Sequence, residues 1–131
     1  EPMGYDDMVL LKNIHFESHC EHHIAPIIGV AHIAYMPADT IVGLSKLARV
    51  VGIYARRLQT QETLTGEIAA AISDALQPKG VAVMMSARHH CMAARGANQP
   101  HVTTVTTRFL GAFEHDDALK VRFTTAIQAR D

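Results

Sequence analysis

A chain of 131 residues with 12 Lys+Arg against 13 Asp+Glu is the size of one domain and lacks the basic excess that holds a phosphate polymer, so no nucleic acid is expected. Its 48% hydrophobic fraction suits a packed core and excludes a disordered tail protein. No apolar run approaches the ~20 residues that cross a bilayer, and no signal-peptide pattern opens the sequence, so a cytoplasmic protein with no membrane partner is expected.

Residues 8–18 (MVLLKNIHFES) are rich in β-formers, and 27–36 (IIGVAHIAYM) read as a second strand closed by Pro37-Ala38-Asp39. The simplest arrangement is a hairpin with an elaborated tip between them. From Gly43 the period becomes helical: Leu44, Leu47, Val51, Tyr54, Ala55 and Leu58 recur on one face over about four turns. The pattern hesitates at Gln59, and Thr60 is placed to cap a second helix. That helix runs through Leu64, Ile68, Ile72 and Leu76 to Pro78-Lys79-Gly80. A nearly continuous apolar run, Val81 to Ala87, predicts a buried strand. Val102 to Phe109 (VTTVTTRF) predicts another, and Gly111 to His115 is expected to extend it. After Asp116-Asp117, Leu119, Phe123 and Ile127 fit a helix, while the alternation Leu119, Val121, Phe123 fits a strand. A C-terminal helix is the expectation.

The resulting α+β order is ββααββ, followed by the C-terminal helix. Such a unit leaves open sheet edges, which a protein must cover or pair. Pairing with other copies would do so.

The polar inventory is less ordinary, with nine His, two Cys and no Trp. The two Cys could form a lone disulfide, remain buried thiols, or hold a metal. Both lie among histidines: His19, His22 and His23 surround Cys20, and His89-His90 precede Cys91. A thiol at Cys20 and an imidazole at His23 are separated by one tight turn, whose ends lie within about 7 Å. Both can therefore reach one ion. Cys91 would supply a third ligand if its strand lies beside the first hairpin. Three ligands with an open fourth position is the catalytic rather than the structural zinc pattern. Two thiolates neutralise Zn²⁺, so nearby proton carriers gain importance, and His22 and His89 are placed to serve.

Ser45, Lys46 and Arg49 fall in the first turns of the first helix, where cations oppose the helix dipole. An anion bound there would favour them; a solvated basic face continuing to Arg56 and Arg57 is the alternative. Arg95, four residues after Cys91, offers a further cation. Gln61 and Glu62 open the second helix. Glu62 either simply stabilises that helix start or, with Gln61, reads adjacent N–H donors and a carbonyl, as on guanine.

Four ordered motifs then resemble the GTP cyclohydrolase I family: Ser18-His19-Cys20-Glu21-His22-His23; Val42-Gly43-Leu44-Ser45-Lys46-Leu47-Ala48-Arg49; Arg56-Arg57-Leu58-Gln59-Thr60-Gln61-Glu62; and His89-His90-Cys91-Met92 with Arg95-Gly96. The resemblance covers nearly the whole chain, as a single catalytic domain over 1–131. It implies the tunnelling fold, a ββααββ unit with an antiparallel sheet and two helices on one face, whose units pair edge to edge into an oligomeric β-barrel, in this family a decamer with active sites at subunit boundaries. It implies hydrolysis of GTP to 7,8-dihydroneopterin triphosphate and formate, the first step of tetrahydrofolate and pterin biosynthesis. Cys20, His23 and Cys91 would hold Zn²⁺, and water activated there would add at C8 of guanine. His89 and His22 would carry protons. Gln61 and Glu62 would recognise the guanine edge, and Ser45, Lys46, Arg49 and Arg95 the ribose and triphosphate. The resemblance also implies an N-terminal helical region before the first strand, which this sequence does not contain.

Three other readings fit less well. A zinc nucleobase deaminase predicts an H-x-E followed by P-C-x-x-C, and neither occurs. A non-catalytic purine or pterin binder of the same fold has no use for an open metal position. A nitrile reductase needs a nucleophilic Cys, and both Cys are committed to the metal.

Overall fold

A computed structural model describes residues 7–20, 26–39, 41–89 and 102–131. In chain order the elements are β1 (Val9–Cys20), β2 (Pro26–Met36), α1 (Leu44–Ala55), β3 (Leu58–Gln59), α2 (Gln61–Leu76), β4 (Gly80–His89), β5 (Thr104–Gly111), α3 (Ala112–His115) and α4 (Asp117–Gln128). The strands form one sheet in the order β3-β1-β2-β4-β5. All neighbours are antiparallel except the two-residue β3, which runs parallel to the end of β1.

Helices α1 and α2 cover one face of the sheet. Their apolar stripes, with Leu47 and Val51 on α1 and Leu64, Ile68 and Ile72 on α2, meet Phe16, Ile27, Ile33, Tyr35, Val83 and Met85 in the main core. Tyr35 is fully buried, and its hydroxyl oxygen accepts the Val42 N–H at 3.0 Å, fixing where the chain turns into α1. Thr60 caps α2 as expected: its side chain accepts the Thr63 N–H. At the other end Gln77 closes the helix in the left-handed conformation, φ 49°.

The expected C-terminal helix is present as α4, capped by Asp116, whose carboxylate accepts the N–H groups of Ala118 and Leu119. It covers part of the opposite sheet face. There Phe123 is fully buried and meets Phe109 and Phe113 edge-on, with centroids 6.1 and 6.2 Å away. Ala34 and Ala82 form the sheet side of this second cluster.

Two expectations are corrected. The first helix stops at Ala55 instead of reaching Leu58, because Leu58 and Gln59 pair with His19 and Cys20 as β3. The fifth strand does not continue through 111–115 either. It ends at Gly111, which adopts φ +63° opposite Gly80. The next residue donates its N–H to Lys79 O, and a single helical turn follows that buries Phe113. An extended chain there would run past the start of β4 and leave Phe113 exposed.

A bulge in β1 between Leu11 and Ile14 makes a second anchor for the C-terminal segment. Asn13 sits there at φ +62° and donates its N–H to Nδ1 of the buried His32 at 3.1 Å. Lys12 donates to the Ala126 and Ala129 carbonyls and pairs with Asp131 at 2.7 Å.

Candidate active site

The strand register settles which ends of the chain's elements meet. Ser18 pairs with Ile27, and Ile27 with His89, so the end of β1 and the end of β4 flank the start of β2. With strands about 4.8 Å apart, Ser18 and His89 are separated across this row by roughly 10 Å between Cα atoms. Cys20 ends β1 and pairs with Gln59 of β3 at the same margin. This meets the condition set by the sequence, that the strand leading to Cys91 must lie beside the first hairpin. His22, His23, Cys91 and Arg95 themselves lie outside the described residues. Among the described residues no group of three His, Cys, Asp or Glu converges as a metal site.

The margin is lined by buried polar groups. Ser18 Oγ donates to Arg57 O at 3.3 Å. The Gln59 side chain is 4% exposed and donates through Nε2 to Tyr54 O and Arg57 O. Its Oε1 is buried and has no donor among the described residues. The Arg57 side chain is half outside this network, bonded to Glu67 at 3.0 Å and lying 5.0 Å from the Tyr54 ring centre.

Helix α2 begins at the same margin. Its second residue, Glu62, is exposed, in a first turn where a carboxylate is favoured. Gln61 behaves otherwise. It is fully buried, and its Nε2 donates to Met85 O (3.1 Å), Thr104 O (2.9 Å) and Thr106 Oγ1 (3.1 Å). Backbone carbonyls only accept, so the amide nitrogen must face them. The Gln61 amide hydrogens are thus directed at groups inside the protein, while Glu62 beside it faces outward.

Ser45, Lys46 and Arg49 are exposed on the first turns of α1. The cap residue Gly43 makes no side-chain bond and the first turn has no acid, unlike α2 and α4. Ser45 and Lys46 lie at the other end of the subunit, and Arg49 lies half-way along α1. The Tyr35–Val42 bond starts α1 near the rung Val9–Tyr35–Val81, and Lys46 lines a shallow groove with Val42, Leu47, Ile72 and Leu76. A helix of 12 residues is about 18 Å long. One chain thus separates its anion-binding candidates from its Cys20–His89 margin.

Sequence reasoning missed Thr65 and Thr106, which join Gln61 in the buried network, and Gln59. None carries a local pattern; each is recognised only once α2 is seated on β4 and β5.

The GTP cyclohydrolase I family model matches residues 1–128. The chain belongs to this family. It is 58% identical over 120 residues to GTP cyclohydrolase 1 of Maricaulis maris (strain MCS10), covering 92% of this chain and 58% of that protein. To GTP cyclohydrolase 1 of Sinorhizobium fredii (strain NBRC 101917 / NGR234) it is 57% identical over 128 residues, 98% of this chain and 62% of that one. The chain therefore spans about three fifths of the length of these relatives. Among solved structures it resembles the archaeosine synthase QueF-Like in the apo form, with TM-score 0.69, 18% identity and coverage of 82% of this chain and 97% of that one. It also resembles E. coli dihydroneopterin aldolase in complex with neopterin, with TM-score 0.55, 12% identity and coverage of 78% and 98%. These two likenesses establish the tunnelling fold, as expected from the sequence. Among the described residues no helix is long and apolar enough to cross a membrane.

Proposed function

We propose that this chain is the catalytic part of a zinc-dependent GTP cyclohydrolase I, converting GTP to 7,8-dihydroneopterin triphosphate and formate in the cytoplasm, where GTP is available. The observation that carries the reading is the common margin of Cys20 and His89, in a chain that belongs to the family.

The donor set Cys20, His23 and Cys91 suits Zn²⁺, with soft thiolates and an imidazole. One feature of the structure speaks for an imidazole-bearing metal beside Cys20. A metal-bound His needs an acceptor for its other N–H, and the buried Gln59 Oε1 is an acceptor with no donor among the described residues. When bound, zinc supplies Lewis acidity that activates water for addition at guanine C8.

The residues of the chain do the remainder. His89, at the end of β4, and His22 carry protons to and from the opening ring, since an imidazole titrates near neutrality. Glu62, exposed at the start of α2, accepts the guanine N1–H and 2-amino donors, a charge-assisted pair. Ser45, Lys46 and Arg49, with Arg95, hold the ribose and triphosphate. Because Ser45 and Lys46 sit at the far end of α1, a neighbouring copy supplies them together with Arg49, in a homo-oligomer of the decameric kind with its sites at subunit boundaries.

The test is metal analysis of the purified protein, followed by incubation with GTP while formate release and pterin fluorescence are recorded. Stoichiometric zinc with equimolar formate and pterin is expected, and a Cys91→Ala variant should lose both metal and turnover. Zinc without formate would overturn the reading.

A further inference from the structure

Gln61, Thr65 and Thr106 form a closed ring of hydrogen bonds whose direction is fixed. The Gln61 carbonyl can only accept, so Thr65 Oγ1 donates to it at 2.8 Å. With its one hydrogen used, Thr65 Oγ1 must accept from Thr106 Oγ1 across 2.7 Å. Thr106 Oγ1 in turn accepts from Gln61 Nε2 at 3.1 Å, whose two hydrogens are shared among this oxygen and the Met85 and Thr104 carbonyls. The ring begins and ends on Gln61, and each hydroxyl both donates and accepts. Gln61 and Thr65 are 0% and 1% exposed and Thr106 is half-buried, so a missing member leaves the Gln61 and Thr65 groups short of partners.

The ring's position gives it a use. Gln61 also donates to Met85 O of β4 and Thr104 O, the first residue of β5. It therefore clamps the start of α2 to both strands that flank residues 90–101, and the next residue along the helix is Glu62. We propose that the Gln61–Thr65–Thr106 ring is the positioning device for Glu62, setting its carboxylate against the guanine edge and so the preference for guanine over a base without a 2-amino group. This rests on the role given to Glu62 under the proposed function. Thr65 and Thr106 are positioning residues and touch no substrate.

The test compares kcat/KM for GTP and for inosine triphosphate, which lacks the 2-amino group, in the zinc-loaded enzyme. Glu62→Ala should lower the GTP-to-inosine-triphosphate ratio by about tenfold or more, the loss expected for a hydrogen bond to a charged group. Thr106→Val, which keeps the shape and removes the hydroxyl, should move the ratio in the same direction, by roughly threefold to tenfold on the same grounds. Thr106→Ser should restore it. Thr65→Val opens the ring from the other side and serves if Thr106→Val does not fold. A ratio unchanged in Glu62→Ala overturns the role of Glu62, and with it the inference. A ratio that changes in Glu62→Ala but stays at the parent value in folded Thr106→Val and Thr65→Val, with only Tm lowered, overturns the inference alone.

Discussion

Replacing Gly29 with Ala should destabilise the protein severely, although Ala is ordinarily the better residue inside regular structure. Gly29 pairs with Ala87 where β2 meets β4. A Cβ added there would stand 2.1 Å from Ser86 O, 2.6 Å from Ala87 Cα and 2.7 Å from Ala87 Cβ. Close carbon–oxygen contacts lie near 3.3 Å, so this rung must open by about 1 Å or more. Overpacking of this kind costs about 1–3 kcal/mol, and each backbone hydrogen bond lost from the ladder adds about 1 kcal/mol. The sum is about 2–4 kcal/mol. With an m-value of about 2 kcal/mol per molar urea, the unfolding midpoint should fall by roughly 1–2 M. Ala87→Gly in the same background removes only the longest of the three contacts, so little stability should return. Gly66, inside α2, provides the opposite case: nothing lies within 4 Å of its added Cβ, and Gly66→Ala should stabilise by about 0.5–1 kcal/mol. A Gly29→Ala midpoint within about 0.3 M of the parent, at unchanged m, would refute the argument from close approach.

His32 should make stability depend on pH in a way that one substitution isolates. Its pKa lies below the usual 6.5, chiefly because it is buried, with the Lys12 charge adding to the depression and Asp131 opposing it. Its neutral Nδ1 accepts the Asn13 N–H. The stability it contributes is therefore whole above pH 6.5 and is lost as pH falls through the depressed value. Tm should drop on acidification below pH 6.5, and His32→Gln should flatten that part of the curve; equal slopes in parent and variant would exclude this role. Subunit mixing checks the proposed division of the site between copies. A Lys46→Ala, Arg49→Ala double variant and a Cys20→Ala variant should each be nearly inactive. Dissociated and reassociated one to one, they should recover about one quarter of parental activity, since one site in four joins two intact halves when a site spans two symmetry-related subunits. No recovery in a reassembled oligomer would place both halves on one chain.

Periodicity made most of the fold legible. The β-former runs of β1 and β2, the 3.6-residue stripe of α1 and α2, and the cap Thr60 all act over a few residues, and sequence spacing reports such local effects well. Two residues of β3 are too few to display any period, and only their partners His19 and Cys20 make them a strand. The turn at Gly111 is set by the start of β4 opposite it, a contact distant in sequence. Site residues follow the same division. Cys20 and His89 were recognisable as ligand-type clusters, but their common margin depends on the β1-β2-β4 order. The nearness of Lys46 to Gln61 in sequence is misleading, because α1 carries the two apart.

Residues 58–62 connect these observations. Within five positions the chain pairs with the end of β1, caps α2 through Thr60, clamps β4 and β5 through Gln61, and presents Glu62. The β1, β4 and β5 ends are thereby tied to a single helix start. A helix whose first turn is capped and bonded on both sides has little freedom to shift when a strand end moves. The relative placement of Cys20, His89 and Glu62 is thus set by backbone pairing and one buried polar ring, and substitutions at Thr65 or Thr106 reach the site without touching it.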